Sequence, residues 1–123
     1  RVQTDVIMPG SVALVKWALA EGCPREDQYG RTMAREAAEH GHLEVVKWLC
    51  GEGGFAMTVN VMAGAAESGN LQLVQWLRAE GCEWDARTCY RAAQNGHLEV
   101  LQWLRAEGCP WDAETCNRAA ENG

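Results

Sequence analysis

Along most of the chain the apolar positions alternate between two spacings, and each spacing predicts a short helix. In the stretch that opens at Asp85, the small residues Cys89, Ala92 and Ala93 fall at i, i+3 and i+4. That is one narrow stripe of a helix. Asp85 stands where an N-cap belongs, and Asp112 repeats it. The stretch stops at Asn95-Gly96, a pair suited to a helix end with positive φ. A second helix is predicted from about His97 to Glu107. At about 100° per residue, Leu98, Val100, Leu101 and Leu104 cover one broad arc, with Trp103 at its edge and Glu99 and Gln102 opposite. Gly108 ends this helix, and Gly22, Gly53 and Gly81 fill the same slot. The pattern is a helical hairpin with a thin first helix and a bulky second one.

The hairpin recurs. SGNLQLVQWLRAEGCEWDARTC (68–89) and NGHLEVLQWLRAEGCPWDAETC (95–116) are nearly identical, and HGHLEVVKWLCGEGG (40–54) and PGSVALVKWALAEGC (9–23) are drifted copies. Trp17, Trp48, Trp76 and Trp103 mark the register at spacings of 31, 28 and 27 residues. The boundaries this suggests are units at 1–23, 24–54, 55–82 and 83–109, with a partial unit at 110–123. One hairpin of this size cannot bury its own apolar face, so stability must come from stacking. Neighbours can approach closely along the Ala-rich helices and are held apart along the Leu/Trp-rich ones. The expectation is an all-α solenoid that curves with its first helices on the concave side. A chain that begins at Arg1 and ends between two helices reads as a piece of a longer array. The stretch 1–8 could supply a remnant first helix through Val2, Val6 and Ile7.

GRTMAREAAEHGHLEVVKWL, from Gly30 to Leu49, resembles an ankyrin repeat. Gly30, Thr32, Ala37, Ala38, Gly41, His42, Leu43, Glu44, Val45, Val46, Lys47 and Leu49 match the family pattern in place, and His97, Leu98, Glu99 and Val100 repeat the match. The resemblance runs from about residue 9 to the end. Met33, Ala34 and Arg35 stand where the family carries Pro-Leu-His. The period of 27–28 is shorter than the about 33 of the family. The shortfall lies where the family places its β-hairpin fingers, so fingers are expected to be reduced or absent. The longer unit keeps room for a loop around Arg25 to Tyr29.

Composition changes the picture less than it first promises. Six Cys suggest disulfides or zinc, but Cys23, Cys82 and Cys109 are one repeat slot, Cys89 and Cys116 another, and Cys50 stands alone. Equivalent slots in stacked helices lie about 8–10 Å apart, beyond the about 7 Å a disulfide tolerates. The separation of seven between Cys82 and Cys89 fits no common zinc knuckle. Small buried thiols are the simpler reading, and free thiols point to an intracellular, cytoplasmic setting. His42 and His97 open second helices, and His40, two residues from His42, does not share a helix face with it. The four register tryptophans are expected to pack between units as a ladder. Trp84 and Trp111 differ, because they sit in loops just before an N-cap. They either lid the loop side or anchor a partner. Gly51-Glu52-Gly53-Gly54 lacks the Lys-Ser/Thr of a phosphate cradle. No nucleophile–base–orienter set can be assembled, so no enzyme and no cofactor is expected.

A charge of −6 disfavours nucleic acid and anionic membrane as partners. The resemblance implies a protein partner on the concave face and inter-repeat loops. Carried onto this sequence, that set is Tyr29, Arg35, Trp84, Arg87, Tyr90, Arg91, Trp111, Glu114, Asn117 and Arg118. These slots vary between copies while the framework stays fixed, and they mix Arg, Tyr and Trp with acids, as binding hot spots do. The first expectation is a non-catalytic interaction module. The alternatives are an inert structural segment of a longer array, or a thiol-based metal or redox site. End-to-end self-association through the incomplete terminal repeats is also expected.

Overall fold

The computed structural model describes residues 12–122. These form eight helices and no strand. In chain order they are α1 (Val12–Ala20), α2 (Met33–Glu39), α3 (Leu43–Cys50), α4 (Val59–Ser68), α5 (Leu71–Ala79), α6 (Ala86–Gln94), α7 (Leu98–Ala106) and α8 (Ala113–Asn122). The hairpins α2–α3, α4–α5 and α6–α7 follow the expected pattern. α1 is a second helix and α8 a first helix. The proposed remnant helix at 1–8 lies outside the described residues.

Local chemistry sets the helix starts. Thr32, Thr58 and Asp85 cap the first helices in extended backbone, accepting from the N–H of Arg35, Val61 and Arg87. Asp112 does the same for Thr115. Such caps each contribute about 1 kcal/mol. The glycine slots hold with one shift. Gly22, Gly81 and Gly108 have φ near +90°, but after α3 the left-handed residue is Gly54, not Gly53. Gly53 is needed for a different reason, since a Cβ there would lie 2.8 Å from the Leu49 carbonyl oxygen.

The first helices pack side by side, α2 on α4, α4 on α6 and α6 on α8. Their contact is made of small residues. Ala34, Ala38, Ala65, Ala66 and Ala92 are fully buried. Gly64 permits a close approach of α4 to α2, as a Cβ there would meet the Glu39 side chain at 3.0 Å. The second helices touch each other far less, with α1 against α3 and α5 against α7. This is the asymmetry expected from the sequence. Leu49, Leu73, Leu77 and Leu104 are buried between the two layers.

The finger survives in one unit as a single turn. The Asp27 carboxylate accepts from the N–H of Tyr29 and Arg31, and one antiparallel bridge joins Glu26 to Thr32. Those two backbone donors hold the Asp27 carboxyl below its usual range. The tryptophans pack less uniformly than a ladder. Trp48, Trp76 and Trp103 are half-buried, and Trp17 is 58% exposed. Lys16 lies over Trp48, and Trp103 meets the loop residue Trp84 edge-on rather than Trp76.

Candidate functional site

The first helices turn their small residues toward each other and leave a polar side. On α6 the buried set is Thr88, Cys89, Ala92 and Ala93, so Arg87, Tyr90 and Arg91 fall on the other arc. On α8 the same spacing places Glu114, Asn117 and Arg118 together. Bonds between neighbouring first helices hold four of these residues, Arg87, Tyr90, Arg91 and Arg118, in a row. Arg91 of α6 pairs with Glu67 of α4. Arg87 reaches Asn60 of α4 at 3.4 Å while holding its own N-cap, Asp85. Arg118 of α8 donates to the Tyr90 hydroxyl at 3.2 Å and pairs with Glu121. Tyr90 and Glu121 hold the Arg118 guanidinium more firmly protonated than usual. Arg35 of α2 and Arg31, just before that helix, share Glu39 at 3.2 and 2.8 Å.

Six of the ten sequence-predicted residues thus lie on α6 and α8, and Arg35 extends the set onto α2. The other three are placed differently. Tyr29 sits in the Asp27 turn, 78% exposed. Trp84 and Trp111 belong with the second helices, because an arginine from the last turn of α5 or α7 folds over each ring. Arg78 lies 3.8 Å from the Trp84 ring centre and donates to the Cys82 carbonyl. Arg105 lies 4.4 Å from the Trp111 ring and donates to the Cys109 carbonyl. The pairing is a cation–π staple that closes each loop onto its own hairpin. The sequence held the signal, since each arginine precedes its tryptophan by six residues in both copies. Arg25 makes a different contact: from the loop before α2 it lies over the Phe55 ring, 4.0 Å away, and donates to the Gly53 carbonyl, joining two successive loops. Trp84 is half-buried by these contacts, while Trp111 is 43% exposed.

One histidine, His97, ties two units together. His97 Nε2 lies 2.8 Å from the Glu67 carbonyl oxygen at the end of the preceding first helix. Asn70, in the same slot, donates to the Gly41 carbonyl at 3.0 Å. His40 and His42 share no helix face, yet they do come together. Their rings stack at 5.8 Å because the chain between them leaves the helix at Gly41.

All described cysteines are free. The Cys82 thiol donates to the carbonyl of Thr58, and that of Cys109 to the carbonyl of Asp85. Each ties the end of a hairpin to the N-cap that began it. Burial raises Cys82 to about 11, so it is a thiol and not a nucleophile at neutral pH. Cys89 and Cys109 are side-chain neighbours in the core, and their contact together with burial pushes Cys109 up. Among the described residues no group of three or more His, Cys, Asp or Glu could hold a metal ion, and no helix is long and apolar enough to cross a membrane.

Residues 64–105 match the family model described as "Ankyrin repeats (many copies)". The matched segment runs from the middle of α4 to the last turn of α7. No curated protein matches the chain.

Proposed function

From the premise that this chain carries ankyrin repeats, we propose that it is a non-catalytic module that binds a protein partner on the polar side of its first helices. The observation that carries this reading is the row linking Arg91 to Glu67 and Arg118 to Tyr90. Bonds between helices hold these side chains in fixed geometry without burying them. A partner that docks there finds arginines and a tyrosine whose conformational freedom is already reduced, which lowers the cost of binding. Arginine and tyrosine are the residue types that dominate binding energy in such interfaces. Of the two loop tryptophans, Trp111 offers the more accessible ring, and Trp84 serves chiefly to close its loop.

The test is affinity capture with the chain and with a Tyr90→Ala, Arg91→Ala, Arg118→Ala variant. The expected result is a protein recovered by the parent and lost by the variant, with the helical signal in circular dichroism unchanged. Identical captures would defeat the proposal for this face. A set lost only on Trp111→Ala would move the site to the loops.

A further inference from the structure

Two sulfurs meet inside the α6–α7 hairpin. Cys89 lies in the first half of α6, and Cys109 follows the left-handed glycine that closes α7. Both are fully buried. The Cys89 thiol donates to the Cys109 carbonyl at 3.9 Å, and the two side chains are in direct contact. Equivalent slots of stacked helices lie too far apart for a disulfide. Cys89 and Cys109 hold unlike slots of one unit, twenty residues apart in the chain.

Packing alone does not call for sulfur here. The same two slots hold Ala34 and Phe55 in the α2–α3 hairpin, and Met62 and Cys82 in the α4–α5 hairpin, all of them buried. Phe55 and Cys82, like Cys109, follow a left-handed glycine. An apolar side chain therefore fills either slot elsewhere in the stack. Among the described hairpins only α6–α7 carries a thiol in both.

We propose that Cys89 and Cys109 are an oxidisable pair, a modification site at which hydrogen peroxide closes a disulfide across the α6–α7 hairpin. One thiolate attacks the peroxide and its O–O bond breaks. The sulfur keeps one oxygen as a sulfenic acid, and the other leaves as water after taking up a proton. The second sulfur then attacks the first, the S–S bond forms, the S–O bond breaks, and a second water leaves. Two thiols are oxidised to one disulfide, and one peroxide is reduced to two waters. Cys89 is suited to the first step. The Cys109 S–H beside it and, less strongly, the Arg105 guanidinium steady its thiolate against the opposing effect of burial, and hold its pKa below the usual cysteine value. Neither sulfur is exposed, so peroxide enters when the hairpin opens locally. Closing the bond gives up the donation from the Cys109 thiol to the Asp85 carbonyl. The site stands whether or not the polar row binds a partner.

The test uses the 123-residue chain with Cys23→Ser and Cys116→Ser, which remove the two exposed thiols and with them cross-links between chains. The folded protein is treated with hydrogen peroxide, alkylated in urea and mapped by mass spectrometry without reduction. A parallel sample is oxidised in urea. Arg91 and Arg105 lie between the two cysteines, so trypsin leaves them on separate peptides. The expected product is an intrachain species two hydrogens lighter, with the Cys89 and Cys109 peptides joined and Cys50 and Cys82 alkylated. Dithiothreitol in urea should separate the join. The oxidised form should also unfold at higher urea than the reduced one, because the bond constrains the unfolded chain. Recovery of both thiols alkylated overturns the proposal. So does sulfinic acid at either without a join, a join between Cys50 and Cys82, or the same mixture of pairings in the folded and urea samples. The unsubstituted chain, its exposed thiols first alkylated while folded, replaces the variant if circular dichroism shows the variant unfolded.

Discussion

At the scale of single residues, the two most similar units show how one side chain can be satisfied in one copy and stranded in the next. Thr115 bonds its N-cap Asp112 through both its N–H and its hydroxyl. Thr88 occupies the same slot, fully buried, and its hydroxyl has no partner. The difference lies at the cap, where the Asp85 carboxylate is engaged by the backbone and guanidinium of Arg87. A buried hydroxyl without a partner costs its desolvation. Thr88→Val is therefore expected to stabilise the fold by about 1 kcal/mol, while Thr115→Val destabilises it by a similar amount. Urea unfolding of the two variants checks the sign. The stripe read from spacing, Cys89, Ala92 and Ala93, left Thr88 out, although it is buried with them. Nor was the difference between copies legible, because Arg87 and Glu114 sit on the exposed arc and spacing says nothing about which carboxylate they engage.

At the scale of elements, caps and glycines were readable because they are local. Asp85, Asp112 and the repeated glycines report backbone needs that involve few residues. Contacts between units were less readable. Gly69 ends α4 in the left-handed conformation, and a Cβ there would come within 2.6 Å of the His97 ring from the next unit. Gly69→Ala thus meets two obstacles, backbone strain and a clash with the ring that bonds Glu67. The substitution is expected to cost about 1–3 kcal/mol. Adding His97→Ala should recover the part due to the clash, so a double-mutant cycle returns a non-zero coupling. Additive costs would show that strain alone is responsible. The arginine staples over Trp84 and Trp111 were missed for the same reason. A helical wheel places Arg78 and Arg105 on the outer face, and only the fold-back of the following loop brings a ring beneath them.

At the scale of the whole molecule, stability is uneven along the stack. α4 buries six consecutive residues from Val61 to Ala66, α8 buries Thr115, and α1 buries none. Each unit is supported only by its neighbours, so opening should begin at the ends. Hydrogen exchange is expected to be slowest in α4 and α6 and fastest in α1 and α8. Uniform protection would mean that the array opens as a single block. The polar row was only partly legible at this scale, since its bonds run between units. The near identity of 68–89 and 95–116 carries a further meaning for how such a molecule can change. Because α4, α6 and α8 stack in succession, each on the next, a duplicated block of one 27-residue period would find a ready seat. A copying slip of that length lengthens the protein without disturbing its interior. A slip a few residues longer is absorbed only where the surplus falls in a loop, as the 31-residue spacing is by the Asp27 turn.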